Sequence, residues 1–428
     1  MVIKSLAISQ VIHIFNSIPI SDNSVKEIEN IFNNFLWNGN TNKVKSSVII
    51  QDYQYGGLKM ADVKSILTAQ KLKWIKMYLN NHKCLWRYIM ESLINVENLN
   101  MFLRGNFDRP LACSDSNFYQ ELLCHLYELN RMNLLNNNED VINQYVFYNK
   151  NVVINGRMIY DKQLLDAGIW RISDLFDEKG NTISFNEWKS KGVCKSKFML
   201  WRCLISKIRS LNLVFANRKK EYNNDIYIHF TNNIVNIEDC KSRELYVALV
   251  KNKNKIPTAQ AKYLNLLQNL TDNEIRSIYL NPRKCTTDNN IKDFQFKILH
   301  RFLPTNALLY KMKKIPTNKC TFCEIHEESI VHLMYECICI RNIWSRVETI
   351  LERVTGERKV LNCFDVLFGI DTKKEENSPV NNFILHVKYY MWTSKCTAKT
   401  PTYDNLIIYL SKRKLFENEL VPFCDEFT

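Results

Sequence analysis

The chain has 428 residues and a formal net charge of +14 at pH 7, with 58 Lys and Arg against 44 Asp and Glu. Hydrophobic residues make up 46% of the sequence, and there are only 10 Gly and 9 Pro. This composition excludes a disordered or collagen-like chain and favours a folded, helix-rich protein of several subdomains. The excess of positive charge favours a polyanionic partner.

Helical periodicity dominates the first hundred residues. A first amphipathic helix ends at Pro19, and Ser24 with Glu27 predicts a capping box at the start of a second helix. A short strand-like run at 47–50 precedes a Gly-Gly turn. A third amphipathic helix is predicted from Asp62 to about Asn80.

The rest of the chain predicts further helices and two places with strand character. Partial alternation around a Gly predicts a small hairpin near 151–160, and residues 223–231 alternate like a strand. A continuous helix is expected from about Ser329 to Val354. We therefore predict a mainly α, multi-subdomain helical architecture with small β-hairpins and a CCHC zinc module. Its regions are divided at about 1–95, 96–222, 223–361 and 362–428, with the zinc module at about 290–350.

The strongest motif reads C-x2-C-x8-H-x4-C, and its members are Cys320, Cys323, His332 and Cys337. Three thiolates and one imidazole match the ligand set of a closed, tetrahedral, structural zinc site. Because all four positions are filled by protein, no position remains for a catalytic water. His326 and Cys339 lie close enough in sequence to be alternative ligands.

The other eleven of the 14 cysteines show no paired spacing, so they indicate free thiols in a reducing compartment. We expect an intracellular protein of the nucleus, the cytoplasm or both. No run of 18 uncharged apolar residues is present, so no membrane span is expected. Polar residues interrupt the apolar stretch at the N-terminus, which argues against a signal peptide.

Two stretches concentrate the positive charge. Residues 187–220 hold ten Lys or Arg against one acid, and residues 283–319 hold nine against two. A plain solvated helix face explains the first stretch equally well. The second stretch runs into the cysteine motif and supplies the candidate nucleic-acid contacts: Lys297, Arg301, Lys311, Lys313, Lys314 and Lys319. Among the nearby aromatic residues, Phe296 and Tyr310 are candidates for base stacking, whereas Phe294 and Phe302 are expected in the core.

Three blocks of the sequence carry a resemblance to a known family. They are residues 18–75, with FLWNG and GGL-x-x-x-D; residues 152–188; and residues 296–344, with an L-P-T loop before the cysteine motif and a Trp after it. The chain resembles the C-terminal part of the large open reading frame of a non-LTR (LINE-type) retrotransposon. The blocks are similar to the thumb, the linker and the zinc-binding domain of its reverse transcriptase.

The resemblance implies a structural zinc ion, RNA or DNA as partner, and association with the polymerase palm of a full-length element. The family's polymerase carries a pair of adjacent aspartates, and no Asp-Asp pair occurs in this sequence. We therefore expect a non-catalytic portion without a palm or an endonuclease domain. Two alternatives stay open: a host-retained, zinc-stabilised protein-interaction module, and an enzyme whose palm comes from another chain.

Overall fold

The computed structural model describes residues 3–39, 41–80, 85–94, 96–107, 113, 115–135, 141–211, 213, 226–229, 234–415 and 417–425. Helices dominate these residues, which confirms the predicted fold class. In chain order they are α1 (Ser9–Ser17), α2 (Asp22–Trp37), α3 (Ser46–Ile49), α4 (Val63–Leu79), α5 (Leu85–Leu93), α6 (Leu99–Arg104), α7 (Asn117–Arg131), α8 (Lys162–Asp166), α9 (Phe185–Ser190), α10 (Phe198–Ser210), α11 (Ser242–Asn252), α12 (Thr258–Lys262), α13 (Leu264–Leu267), α14 (Asp272–Cys285), α15 (Asn289–Leu299), α16 (Asn306–Lys311), α17 (Ile338–Thr355), α18 (Cys363–Phe368), α19 (Ser378–Cys396), α20 (Tyr403–Arg413) and α21 (Val421–Asp425).

Two antiparallel hairpins account for the strands of the described chain. Strand β1 (Val153–Ile154) pairs with β2 (Arg157–Met158) across Asn155 and Gly156, whose positive φ values of 51° and 74° suit a two-residue hairpin turn. This confirms the hairpin predicted near 151–160. Strand β3 (Tyr227–His229) pairs with β4 (Ile234–Asn236). Parts of the predicted strand, 223–225 and 230–231, lie outside the described residues.

The chain forms two compact units, each assembled from two segments. Unit 1 comprises Met1–Leu36 and Ala61–Lys253, and unit 2 comprises Trp37–Met60 and Asn254–Thr428. The finer division into four regions stays a prediction. In unit 1 an apolar core surrounds a buried ion pair: the Lys71 Nζ lies 2.9 Å from the Glu121 carboxylate and 4.2 Å from the centre of the Phe118 ring.

Unit 2 is organised around α17 and α19, and α19 is buried on most of its surface. Phe383 of this helix stacks on Phe423 with ring centroids 4.6 Å apart. Lys388 is also buried, and its Nζ donates to the Gln295 Oε1 at 2.7 Å. Burial lowers the pKa of Lys388 to about 7. The helix thus combines apolar packing with buried polar side chains that are hydrogen-bonded, among them Asn381, His386 and Lys388.

Two local predictions near the N-terminus are wrong. Residues 46–49 form helix α3 and not a strand, with Val48 and Ile49 buried. So short an apolar run does not distinguish the two states by its periodicity. Helix α2 begins at Asp22 and not at Ser24, because the Ser21 hydroxyl accepts the Ser24 N–H at 3.1 Å and acts as the cap one turn earlier.

Candidate metal centre

The first two cysteines lie on a turn that folds back on itself. The Cys320 N–H donates to the His326 carbonyl at 2.8 Å, and the Glu324 N–H donates to the Cys320 carbonyl at 2.9 Å. Glu324 closes the turn in the left-handed conformation, with φ 56°. These bonds hold the sulfurs of Cys320 and Cys323 at one site, as the C-x2-C spacing predicts.

Of the other two residues, His332 begins a short π-helical turn, His332–Glu336, and Cys337 directly follows it. The Cys337 N–H donates to the His332 carbonyl at 2.9 Å, and Cys337 itself is extended, with ψ 129°. Helix α17 starts only after it. The continuous helix expected from Ser329 to Val354 is therefore wrong, since the chain leaves the helical path at Cys337. In a straight helix the side chains of residues 332 and 337 would lie on different faces. Because the helix breaks at Cys337, both side chains point toward the sulfurs of Cys320 and Cys323.

The ligand atoms of Cys320, Cys323, His332 and Cys337 all lie within 4.8 Å of one another. The Cys320 and Cys337 sulfurs are 3.9 Å apart, and the Cys323 sulfur is 3.4 Å from the His332 Nε2. A tetrahedron with Zn–S bonds of about 2.3 Å and a Zn–N bond of about 2.0 Å has edges of roughly 3.8 and 3.5 Å. The donor set and its spacing therefore fit a zinc ion held by four protein ligands.

The electrostatics of the site also call for a cation. Burial raises the pKa of the Cys320 and Cys337 thiols above the ordinary value. Burial also tends to raise the pKa of the Cys323 thiol. Hydrogen bonds from the backbone N–H groups of His326 and Ile325 outweigh burial, so the pKa of Cys323 is lowered. Burial also lowers the pKa of His332, so its imidazole is neutral and able to ligate. A bound metal ion supplies the positive charge that turns the buried thiols into thiolates.

The two alternative ligands lie outside this cluster. The Cys339 sulfur donates to the Phe322 carbonyl at 3.4 Å, and its backbone N–H donates to the Cys337 sulfur. His326 is exposed, and its ring centre lies 5.6 Å from that of His332. Cys339 therefore supports a ligand rather than replacing one.

A buried carboxylate that the sequence analysis did not identify organises the surroundings of the metal centre. Glu328 is fully buried and accepts the backbone N–H groups of Asn306 and Thr321, both at 2.8 Å. Its carboxylate also accepts the Thr321 hydroxyl at 2.7 Å and lies 3.5 Å from the Lys395 Nζ of α19. Glu328 thus ties the first turn of α16 to the cysteine turn. The only sequence signal for Glu328 is its position between the ligands, because Asn306 and Lys395 lie far from it along the chain.

Three of the candidate nucleic-acid residues lie together at the end of α16. Lys311, Lys313 and Lys314 are exposed, and so are Tyr310 and Met312, at 50% and 45%. The turn that carries them is ordered by the Lys314 N–H, which donates to the Leu309 carbonyl at 3.0 Å. This bond closes the end of the helix and fixes where the lysines project.

The remaining candidates make contacts within the protein. The Lys297 Nζ pairs with Asp293 at 2.5 Å, and the Lys319 Nζ donates to the Ile325 carbonyl at 2.9 Å. The Arg301 guanidinium lies 4.6 Å from the centre of the Tyr263 ring. Of the aromatic residues expected in the core, Phe294 is buried. Phe302 is only half-buried, at the edge of the core beside Phe296.

Comparison with known proteins agrees with the geometry. Residues 243–344 match the family described as zinc-binding in reverse transcriptase. The comparison with curated proteins gives no match. Among the described helices, none has the length and apolar character to cross a membrane. The chain therefore contains a region similar to a zinc-binding domain of reverse transcriptases, and the four Cys and His residues are its candidate metal ligands.

Proposed function

We propose that this chain is a zinc-stabilised, nucleic-acid-binding segment from the C-terminal part of a non-LTR (LINE-type) reverse transcriptase. It contacts template RNA or target DNA and has no catalytic activity of its own. The observation that supports this best is the position of the metal cluster, which lies within the reverse transcriptase match and directly after three exposed lysines.

The charge of the lysine turn (residues 310–314) favours contacts with phosphates. Among the described residues, none of the ammonium groups of Lys311, Lys313 and Lys314 has a carboxylate within ion-pair distance. Exposed Tyr310 adds an aromatic ring to the same turn. Unpaired cations release counterions from a nucleic acid when they bind, and an aromatic ring can stack on an unpaired base.

The absence of catalysis is part of the proposal. Nucleotide transfer by two metal ions needs clustered carboxylates, and the sequence has no adjacent aspartate pair of the kind the family uses. The metal cluster supplies four protein ligands, which suits a structural ion. We expect no reverse transcriptase activity from the isolated chain with magnesium, and measurable primer extension would contradict this.

Nucleic-acid binding is tested by fluorescence anisotropy with a labelled RNA at several salt concentrations. The variant replaces Lys311, Lys313 and Lys314 with Glu. The matched control places Glu at three other exposed cations of unit 2: Arg358, Lys399 and Lys412. We expect the lysine-turn variant to bind the RNA at least about tenfold more weakly than the wild type. The slope of log K against log salt concentration should become shallower by about 2. A slope near zero for the wild type, or an equal loss in the control, would overturn the proposal.

A protein partner is the second candidate, and a specific surface favours it. Helices α1 and α2 and the residues that flank α1 expose large apolar side chains: Leu6 61%, Ile14 45%, Ile18 50%, Ile31 63% and Phe35 65%. Exposed apolar surface of this kind marks interaction sites. The polymerase palm of a full-length element is the partner implied by the resemblance. Replacing Ile31 and Phe35 with Asp should abolish binding to a purified palm of this class, and unchanged binding would exclude the surface.

A further inference from the structure

We infer that unit 2 carries a second nucleic-acid contact, a platform that stacks the bases of a single strand. The stacking platform consists of Tyr53, Tyr55, Lys59, Arg276 and Arg283. It rests on the proposed function, because it adds a base-reading surface to the phosphate contacts of the lysine turn. The class of ligand is single-stranded nucleic acid of either sugar type.

Two tyrosines of the platform each lie against an arginine. The Arg283 Cζ is 3.5 Å from the centre of the Tyr53 ring, which is the distance of a close face-to-face stack. The Lys59 Nζ lies 4.8 Å from the same ring centre. The Arg276 Cζ lies 5.3 Å from the centre of the Tyr55 ring. The platform therefore presents two cation–aromatic pairs side by side.

The backbone holds the tyrosines directly on α14. Tyr53–Tyr55 is a 3₁₀ turn that ends at Gly56, where φ is 78°. A Cβ added at Gly56 would lie 3.0 Å from the Tyr279 ring, and one added at Gly57 would lie 2.1 Å from the Gln51 carbonyl oxygen. The His300 Nε2 lies 2.8 Å from the Gly56 carbonyl oxygen. A side chain at Gly56 would collide with Tyr279 of α14, and one at Gly57 would collide with the backbone of the preceding segment, so both glycines are required for this arrangement.

The two arginines have a spacing that suits a stacked strand. Arg276 and Arg283 occupy positions i and i+7 of α14, so they share one face and lie two turns apart, about 10 Å along the axis. At about 3.4 Å for each stacked nucleotide, this distance corresponds to roughly three nucleotides. One short stretch of strand can therefore contact both pairs.

The charges around the platform are mostly positive. The Asp52 carboxylate is paired with Lys59 at 2.9 Å, and Glu274 is paired with Lys373 at 3.0 Å. Arg283 is exposed, and the Lys292 Nζ nearby donates to the Thr287 backbone carbonyl at 3.2 Å. Since the acids are neutralised locally, the net charge of this surface favours a polyanion.

The chemistry of the pairs favours unpaired bases over a duplex. A guanidinium stacked on a ring offers its outer plane to a further planar group, and bases stack on both aromatic rings and guanidinium planes. Arg283 has an exposed side chain, so solvent and ligands can reach part of it, although burial of its guanidinium lowers its pKa. In a duplex the bases already stack on each other, so the platform would add only phosphate contacts there.

The test uses the full chain loaded with zinc and three labelled probes: oligouridylate, oligodeoxythymidylate and an RNA duplex of equal length. The platform variant carries both Arg276→Gln and Arg283→Gln. The control variant carries both Arg358→Gln and Lys399→Gln, which removes two exposed charges elsewhere in unit 2. We expect the platform variant to bind both single strands about tenfold more weakly than the control variant does, because it loses the planar surfaces on which bases stack. Duplex binding should match the control within about twofold.

Two further measurements keep the inference open to refutation. Arg276→Lys with Arg283→Lys keeps the charge and removes the planar stack, so it should keep the salt slope but lose single-strand affinity. A 5-iodouridine oligonucleotide should crosslink to Tyr53 or Tyr55. If the wild type binds single strands and the lysine-turn variant weakens binding, but the platform variant equals its control and the crosslink maps elsewhere, the platform is wrong and the proposed function stands. A wild type that binds no nucleic acid overturns both.

Discussion

Helix α19 and the metal segment (residues 317–337) both contribute buried side chains to unit 2, but those side chains differ in chemistry. Eleven residues of α19 are buried, and most of them are apolar or aromatic. In the metal segment the buried groups include three ligands, Cys320, His332 and Cys337, together with Glu328. The helix relies mainly on apolar packing around a few hydrogen-bonded polar side chains, whereas the geometry of the segment depends on four ligands and Glu328 in addition to its apolar residues.

This difference predicts how each part fails. A truncated side chain in α19 leaves a cavity and lowers stability without changing the geometry of the rest. Loss of one ligand in the metal segment prevents zinc binding. The remaining buried thiols then have no metal ion to hold them together, and the folded segment loses the free energy of metal binding. The predictions below separate the two modes.

Removal of one ligand should have the largest effect. Cys320→Ser is expected to reduce bound zinc from one ion per chain to a small fraction and to lower stability by several kcal/mol, since structural zinc contributes about 10–16 kcal/mol of apparent binding energy. Metal analysis and hydrogen exchange across 317–337 measure both effects. Cys339→Ser is the matched control, because its sulfur only donates to a backbone carbonyl. Equal zinc loss in the control would contradict the ligand assignment.

Glu328→Gln should have the next largest effect. The amide keeps the size of the side chain but turns one acceptor oxygen into a donor, which then faces the N–H of either Asn306 or Thr321. It also leaves Lys395 without its carboxylate. We expect a loss of about 3–4 kcal/mol in the free energy of unfolding, measured by urea denaturation. The neighbouring exposed Glu327→Gln should change it by less than about 0.5 kcal/mol.

A core truncation in α19 should destabilise without releasing zinc. Met391 is fully buried, and Met391→Ala is expected to lower the free energy of unfolding by about 3 kcal/mol through the cavity it leaves. Zinc content at 25 °C should stay at one ion per chain. Release of zinc by this variant would show that the two parts are not independent in the way the comparison requires.

The smallest effect concerns pH. Burial lowers the pKa of His300 to about 4, from 6.5 in an unfolded chain. The folded state therefore prefers the neutral ring, and its stability falls as pH drops from about 6.5 toward 4. Between pH 7 and 5 the expected loss is about 2 kcal/mol. His300→Gln should remove this part of the slope in urea titrations at each pH. An unchanged slope would contradict a neutral buried His300.

The sequence predicted the metal cluster because the information is local. Ligand chemistry and the C-x2-C turn depend on neighbouring residues, and the spacing to His332 and Cys337 suffices to bring four donors together. The mainly helical class followed from periodicity and a low content of Gly and Pro. The helix break at Cys337 was not predicted, because helical propensity continues through it and only the demand for a fourth ligand overrides that propensity.

Contacts between distant parts of the chain could not be predicted. Glu328 is explained only by partners on α16, on the cysteine turn and on α19. The stack of Arg283 on Tyr53 joins two segments that lie far apart in sequence. Short apolar runs such as 46–49 could be either helix or strand by their sequence alone, because packing against the rest of unit 2 decides between the two. A single sequence does not show which remote groups meet.

The most direct test of the account is zinc-edge X-ray absorption of the purified chain. The four-residue centre predicts one zinc ion with three sulfur ligands at about 2.3 Å and one nitrogen ligand at about 2.0 Å, and no oxygen ligand. Cys320→Ser should abolish this signal. A spectrum with mostly oxygen or nitrogen ligands would contradict the assignment of a structural zinc site. A zinc-free chain as stable as the zinc-loaded chain would contradict it as well.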